Sequence, residues 1–258
     1  MNINITDRTY LVCGATSGFG KAITMQLINE NANVIAVARN KDKLKSLKKD
    51  NNKIIDIIDL DLTDSNSVSI LLSKIENKKI DGAVINAGGP PAKPFKETTL
   101  DDWDKAYYQI LRWKVDLSVK LAERMLVNKF GRLLFIESIS VKFPIENLML
   151  STSLRMAVVG FVKFLSNEYS KYNITANVLA PGFHLTQAIE RVIQSKADKE
   201  NINYDEALKS FITDIPTGKI GKPENFASLA TWLLSPLSDY ITGQTISIDG
   251  GYNKYIFG

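Results

Sequence analysis

Apolar and polar positions along the chain follow two alternating periods. Short runs rich in β-branched residues read as strands: Thr9–Cys13, Asn33–Ala38, Lys53–Ile58, Ile80–Asn86, Arg132–Ser138, Ile174–Leu179 and Thr245–Ile248. Between them the apolar residues recur at helical spacing, over Gly18–Asn29, Asp42–Lys48, Ser65–Glu76, Asp101–Val127, Ser153–Lys171 and Pro223–Leu234. Strands separated by helices imply βαβ units and a mostly parallel sheet with right-handed crossovers. The pattern predicts one doubly wound α/β domain over residues 1–258, with about seven strands flanked by helices. Residues 185–217 stand apart: charged and helical in pattern, they fall between the sixth strand and the last helix. They read as a substrate-side insertion over the carboxyl ends of the strands, where ligands bind in such sheets.

Composition narrows the picture. The chain has 258 residues, 45% hydrophobic and 23% charged, enough for a real core. A formal net charge of +4, spread evenly, excludes a nucleic-acid surface. The lysines from Lys41 to Lys49 are interrupted by Asp42, Leu44 and Leu47 and read as a solvated helix face. A single cysteine, Cys13, forbids an internal disulfide, and a single histidine leaves no metal cluster evident. The N-terminus lacks a signal-peptide pattern, and no apolar segment reads as approaching the roughly 18–20 residues of a membrane helix. A cytoplasmic protein with no membrane partner is the expectation.

The first strand runs straight into Gly14-Ala15-Thr16-Ser17-Gly18-Phe19-Gly20, and a helix follows. Glycines there permit a tight turn and let backbone N–H groups approach a pyrophosphate at the helix N-terminus, the Rossmann-type arrangement. The second strand ends at Ala38-Arg39-Asn40. A carboxylate at that place would take the ribose hydroxyls of NAD, whereas an arginine suits a 2′-phosphate. Arg39 therefore favours NADP(H) over NAD(H).

These residues resemble the short-chain dehydrogenase/reductase family along nearly the whole chain. Cys13-Gly14-Ala15-Thr16-Ser17-Gly18-Phe19-Gly20 matches the family's Thr-Gly-x-x-x-Gly-x-Gly, with Cys for Thr. Asn86-Ala87-Gly88 matches its Asn-Ala-Gly, and Asp61-Leu62 its acidic adenine contact. Ala180-Pro181-Gly182 with Thr186 matches its loop near the nicotinamide, and Thr242-Gly243-Gln244 through Asp249-Gly250-Gly251 its C-terminal signature. The resemblance implies a cofactor site built from Gly14, Thr16, Ser17, Gly18, Phe19, Gly20, Arg39, Asp61, Leu62, Asn86, Ala87, Gly88, Arg155, Pro181, Gly182 and Thr186. It also implies a homo-oligomer, dimer or tetramer, paired through the two long helices.

The catalytic set departs from the family. The resemblance places the catalytic Ser at Ser138, but Ser151 stands at the Tyr position, Arg155 at the Lys position and Ile110 at the Asn position. The chain looks like a divergent subgroup resembling 3-oxoacyl-acyl-carrier-protein reductases, with Gly88-Gly89-Pro90-Pro91 after the Asn-Ala and a Ser-x-x-x-Arg pair. Catalytic candidates are thus Ser138, Ser151 and Arg155. A serine hydroxyl is a far weaker acid than a phenol and cannot simply replace the tyrosine. Arg155 keeps the positive charge and can still bond ribose hydroxyls. Strand alternation points Glu137 to the face away from Ser138. His184, two residues past Gly182, is a further candidate donor by its pKa near 6.5. Phe143, Leu148, Met149, Leu150 and Phe183 suggest an apolar pocket wall. Two readings stay open: an oxidoreductase acting on a small carbonyl or alcohol by a variant proton route, and a catalytically impaired dinucleotide-binding homologue with a sensor or structural role.

Overall fold

A computed structural model of the chain describes residues 2–256. All seven strands join one parallel sheet in the order β3-β2-β1-β4-β5-β6-β7. They are β1 Thr9–Cys13, β2 Asn33–Ala38, β3 Ile54–Asp59, β4 Gly82–Asn86, β5 Gly131–Ile136, β6 Ile174–Pro181 and β7 Thr245–Ile248. The central strands are buried on both faces, as helices on either side require, and β5 carries no exposed residue. Helices α1 (Gly18–Asn29), α2 (Lys41–Lys49) and α9 (Pro223–Leu233) cover one face, where Ile23, Leu27, Leu44, Phe226 and Ala230 pack on Val12, Val34 and Leu134. Helices α3 (Ser67–Lys74), α5 (Trp113–Leu126) and α6 (Met149–Tyr169) cover the other, with Leu71, Leu117, Leu121, Val158 and Val162 against Leu11, Ile85 and Phe135. Because β1 lies between β2 and β4, the chain changes direction across the sheet there. A crevice opens at the carboxyl ends of β1 and β4 at such a switch point.

Two expectations are revised, and the insertion takes shape between them. The spacing predicts one helix over Asp101–Val127, but the structure breaks it into α4 (Leu100–Tyr107), a π turn at Tyr108–Arg112, and α5. The extra residue of the π turn spoils the regular ladder, and the Trp113 ring N–H bonds the Gln109 carbonyl at 2.9 Å. Residues 185–217 hold α7 (Gln187–Glu200) and α8 (Tyr204–Ile212), with a small core of Ile193, Ala197 and Ala207. The second concerns membrane length. Residues Met149–Tyr172 form a helical stretch of 24 residues that is apolar enough to cross a membrane. It is apolar because α6 buries Val158, Val162 and Leu165 against the sheet while also carrying Met156 and Phe164 on its outer side.

The amino end of β5 holds a buried arginine. Arg132 donates to the carbonyls of Ser235 at 3.0 Å, Gly131 at 2.8 Å and Asn173 at 2.9 Å, and to Asn173 Oδ1 at 3.2 Å. Its guanidinium and that of Arg8 flank the Phe130 ring, 4.3 and 4.1 Å from the centroid.

Candidate functional site

The β1–α1 turn is shaped by its glycines. Gly14 and Gly18 have φ of +72° and +50°, and a methyl group on Gly20 would strike the Gly14 carbonyl. The Asn86 side chain closes the turn from β4, donating to the Cys13 carbonyl at 3.4 Å. Cys13 itself is sealed in the core, and burial pushes its thiol up to about 12. Ser17 precedes α1 in extended backbone, yet its side chain makes no capping bond, so the first N–H groups of the helix stay open.

Those N–H groups face a cleft of about 490 Å³. Gly14, Thr16, Ser17, Gly18, Phe19, Arg39, Asp61, Leu62, Asn86, Ala87, Gly88 and Thr186 all line it. Gly20 supports the turn from behind. Pro181 and Gly182 do not line the cleft; they pair with β7, where Gly182 N–H donates to the Ile248 carbonyl at 2.9 Å. Arg155 also lies outside it. Sequence reasoning missed Asn40, Lys43, Thr63, Gln109, Trp113, Gln187, Ala188 and Arg191 in the lining. Lys43 had a legible signal, one helical turn beyond Arg39; Arg191 had none, because its place depends on how the insertion docks.

The electrostatics at the rim favour an anion. Arg39 is mostly exposed and approaches Asp61 at 3.6 Å, with Lys43 and Arg191 on the same cleft. Partial burial alone would raise the Asp61 carboxyl. The Thr63 N–H and hydroxyl, at 3.1 and 2.8 Å, together with Arg39 outweigh it and hold the carboxyl below its usual range. An open helix N-terminus, a glycine turn that no side chain can fill and three cations at one rim suit a phosphorylated dinucleotide.

The predicted catalytic residues divide. Ser138 sits just past β5, and its Oγ accepts from the Ser140 N–H at 3.2 Å, capping the short turn Ile139–Val141. Ser151 and Arg155 lie one turn apart on α6, both buried, and Arg155 Nε donates to Ser151 Oγ at 3.0 Å. Alternation places Glu137 on the face of Leu133 and Phe135, toward α5 and α6. Its N–H still bonds the Leu179 carbonyl of β6 at 2.9 Å, and its carboxylate accepts from Arg155 Nη1 at 2.7 Å. The other oxygen of Glu137 meets Lys114 Nζ at 2.5 Å, and both side chains are buried. Sequence reasoning missed Lys114 altogether. Its signal was a lysine set among Ile110, Trp113, Leu117 and Leu121, the apolar face of the helix. Burial drives its ammonium down to about 8 against the attraction of Glu137, and Arg155 adds to the fall.

His184 does not line the cleft. It is buried edge-on between Phe19 and Phe226, with centroids 5.2 and 5.7 Å away, and its Nδ1 lies 3.1 Å from the Gly182 carbonyl. Burial lowers its pKa, and the backbone carbonyl only partly restores it. The residue pins the base of the insertion by bridging to Gly221. Of the expected apolar wall, Phe143 and Phe183 meet through Tyr252 at 5.7 and 5.2 Å, while Leu150 is core. Phe143 and Tyr252 also line a second hollow of about 320 Å³ with Tyr255, Asp214 and Lys254.

Known proteins match this chain along its length. A family model described as enoyl-(acyl carrier protein) reductase covers residues 14–253. The NADPH-dependent reductase BacG of Bacillus subtilis (strain 168) is 29% identical over 259 residues, 98% of this chain and 100% of that protein. The 3-oxoacyl-(acyl-carrier-protein) reductase FabG of Rickettsia bellii (strain RML369-C) is 31% identical over 249 residues, 96% of this chain and 98% of that protein. Among solved structures, that of YwfH, described as an NADPH-dependent reductase involved in bacilysin biosynthesis, superposes with a TM-score of 0.91 at 29% identity. It covers 97% of this chain and 100% of the other.

Proposed function

The chain belongs to the short-chain dehydrogenase/reductase family, and from that premise we propose that it is an NADP(H)-dependent oxidoreductase reducing a small carbonyl substrate, or oxidising the corresponding alcohol. The observation that carries this reading is the cleft in which the open N-terminus of α1 meets Arg39 and Lys43. The N–H groups of Ser17 through Phe19 hold the pyrophosphate, Arg39 and Lys43 hold the 2′-phosphate, and Asp61 meets the adenine side. The relatives BacG and YwfH, both described as NADPH-dependent, support the choice of cofactor. When bound, the cofactor supplies the hydride. The chain's own residues orient it and manage the charge on the substrate oxygen.

The proton route is a variant one. With Ser151, Arg155 and Ile110 at the three positions that depart from the family, ordinary family substrates turn over about 10²–10⁴-fold more slowly than with a tyrosine acid. Phe143 and Phe183 bound the substrate side. The whole chain forms one domain of a cytoplasmic enzyme, and it assembles as a dimer or tetramer through α5 and α6, on whose outer side Phe164 is 80% exposed.

The test is a fluorescence titration with NADPH and NADH followed by turnover against a panel of ketones and aldehydes. Tighter NADPH binding with measurable carbonyl reduction is expected. Equal affinity for the two cofactors would remove the role of Arg39. Tight NADPH binding with no turnover on any carbonyl would leave a dinucleotide-binding homologue with a sensor or structural role. Sedimentation as a monomer at micromolar concentration would remove the assembly.

A further inference from the structure

Two cations, Lys114 and Arg155, share the single carboxylate of Glu137 inside the protein. A buried group with an excess positive charge is costly unless something anionic joins it. The geometry shows where that partner enters. Arg155 spends Nη1 on Glu137 and Nε on Ser151, and among the described residues Nη2 has no hydrogen-bond partner. Ser151 Oγ accepts from Arg155, which leaves its own hydrogen free to donate. Both groups face the loop after β4. A methyl group on Gly89 would lie 3.2 Å from Arg155 Nη2 and 3.5 Å from Ser151 Oγ, so the glycine keeps the space before both donors clear. Gly88, next to it, lines the cofactor cleft.

We propose that Arg155 Nη2 and the Ser151 hydroxyl form a two-donor oxyanion hole past Gly89, with Glu137 and Lys114 as positioning residues that clamp the guanidinium. The idea rests on the reductase reading above. Hydride and its electron pair join the carbonyl carbon, the C=O π pair moves to oxygen, and the oxygen's charge is held by the two donors. Water reaching the site past the exposed Gly88 and Gly89 then supplies the proton and leaves hydroxide to solvent. This device does not ask serine to match the acidity of a phenol. It replaces acid strength with the fixed charge of a guanidinium held by the buried Glu137.

The loop variant Gly89→Ala tests the hole because its methyl would crowd the space before Arg155 Nη2 and Ser151 Oγ while leaving the Glu137 and Lys114 side chains in place. Gly89 does not have the left-handed φ that would strain an alanine. It should leave the NADPH dissociation constant unchanged and lower kcat by about 10²-fold with little change in KM, the scale of losing an oxyanion donor. A direct binding probe is formate, titrated into the protein with NADP⁺ present and followed by tryptophan fluorescence. Formate should bind the unmutated protein and bind Gly89→Ala at least about tenfold more weakly, the loss of one charged hydrogen bond. Formate that fails to bind, or binds both proteins equally, overturns the hole whether or not a turnover substrate has been found. Failure of NADPH itself to bind overturns the reductase reading instead.

The positioning role is read in the pH profile. The charged groups facing Lys114 are Glu137 after β5 and Arg155 on α6, with the Cys13 thiol at the end of β1. Loss of the lysine proton weakens the field at the hole, so kcat should fall as pH rises through about 8. Lys114→Met should lower kcat and abolish that limb, and Lys114→Arg should retain activity and move the limb to higher pH. A limb that persists unchanged in Lys114→Met overturns the positioning role.

Discussion

The two ends of β5 each bury an arginine, and they are satisfied in different ways. Arg132 at the amino end has its guanidinium nitrogens bonded to neutral oxygens from three different segments, with Phe130 stacked on its face. Arg155, next to the carboxyl end, is held by a carboxylate and a hydroxyl and keeps one nitrogen in reserve. Full satisfaction marks a staple: Arg132 ties β5 to the Asn173 turn and to the Ser235 turn after α9. An unspent donor that opens toward the loop of Gly88 and Gly89 marks a group waiting for a ligand. Burial alone distinguishes neither, since both residues are almost wholly inaccessible.

The sharpest way to break the contrast is Arg132→Met. Three carbonyls and an amide oxygen would each lose a donor inside the protein, the Asn173 carbonyl keeping the Gly131 N–H, and the expected loss of stability is about 3–5 kcal/mol. The urea midpoint should fall with an unchanged slope, while the surviving folded protein binds NADPH normally. Impaired cofactor binding at full stability would show that the amino end is not merely a staple.

Arg155→Met is the converse. Lys114 still pairs Glu137 after the substitution, so the stability loss should be smaller than for Arg132→Met. Turnover should instead fall by about 10²–10³-fold, equivalent to about 2.7–4 kcal/mol of transition-state stabilisation. Steady-state rates beside the urea curve decide it. An equal stability loss in the two variants with turnover intact would make Arg155 a second staple.

A third arginine sharpens the comparison from outside the core. Arg39 is exposed and only loosely paired, so Arg39→Asp should leave stability nearly unchanged. It should weaken NADPH binding by about 1–3 kcal/mol and spare NADH, as separate titrations will show. The smallest effect belongs to His184. Its folded pKa lies below the unfolded value of about 6.5, so the unfolded chain takes up the proton first as pH falls. Stability is therefore full above pH about 6.5 and declines below it, until the folded pKa is passed. Thermal melts of His184→Gln should lack that decline.

The cofactor end was legible because its information is local. Strand, glycine turn and helix follow one another in the chain, and Gly14, Gly18 and Asn86 each answer to a backbone requirement that sequence displays. Bounds of β1, β2, α1 and β7 agree with the pattern for the same reason. The ion triad was not legible because its members come from three elements. Glu137 and Arg155 read singly as oddities, an acid at a strand end and an arginine where a lysine was expected, and Lys114 in its apolar stripe went unread. Only the docking of α5 and α6 on β5 joins them. His184 was misjudged by its place near Gly182, since nothing local announces that Phe19 and Phe226 close over its ring.

The π turn at Tyr108–Arg112 works as a phase setting between two helices that are anchored separately. Upstream, α4 is fixed by the Thr99–Asp102 capping box and by Lys93 on Asp102. Downstream, α5 is fixed by Leu117 and Leu121 in the core. Each residue advances a helix by about 100°, so the number of residues between those anchors determines which side chains look inward at the start of α5. Removing one residue from the turn would restore an unbroken helix and yet turn α4 by about 100° against α5, so that the Thr99–Asp102 anchor and the Leu117–Leu121 anchor could no longer both be satisfied. A single irregular count, rather than any one side chain, is what keeps the two halves of the site in step.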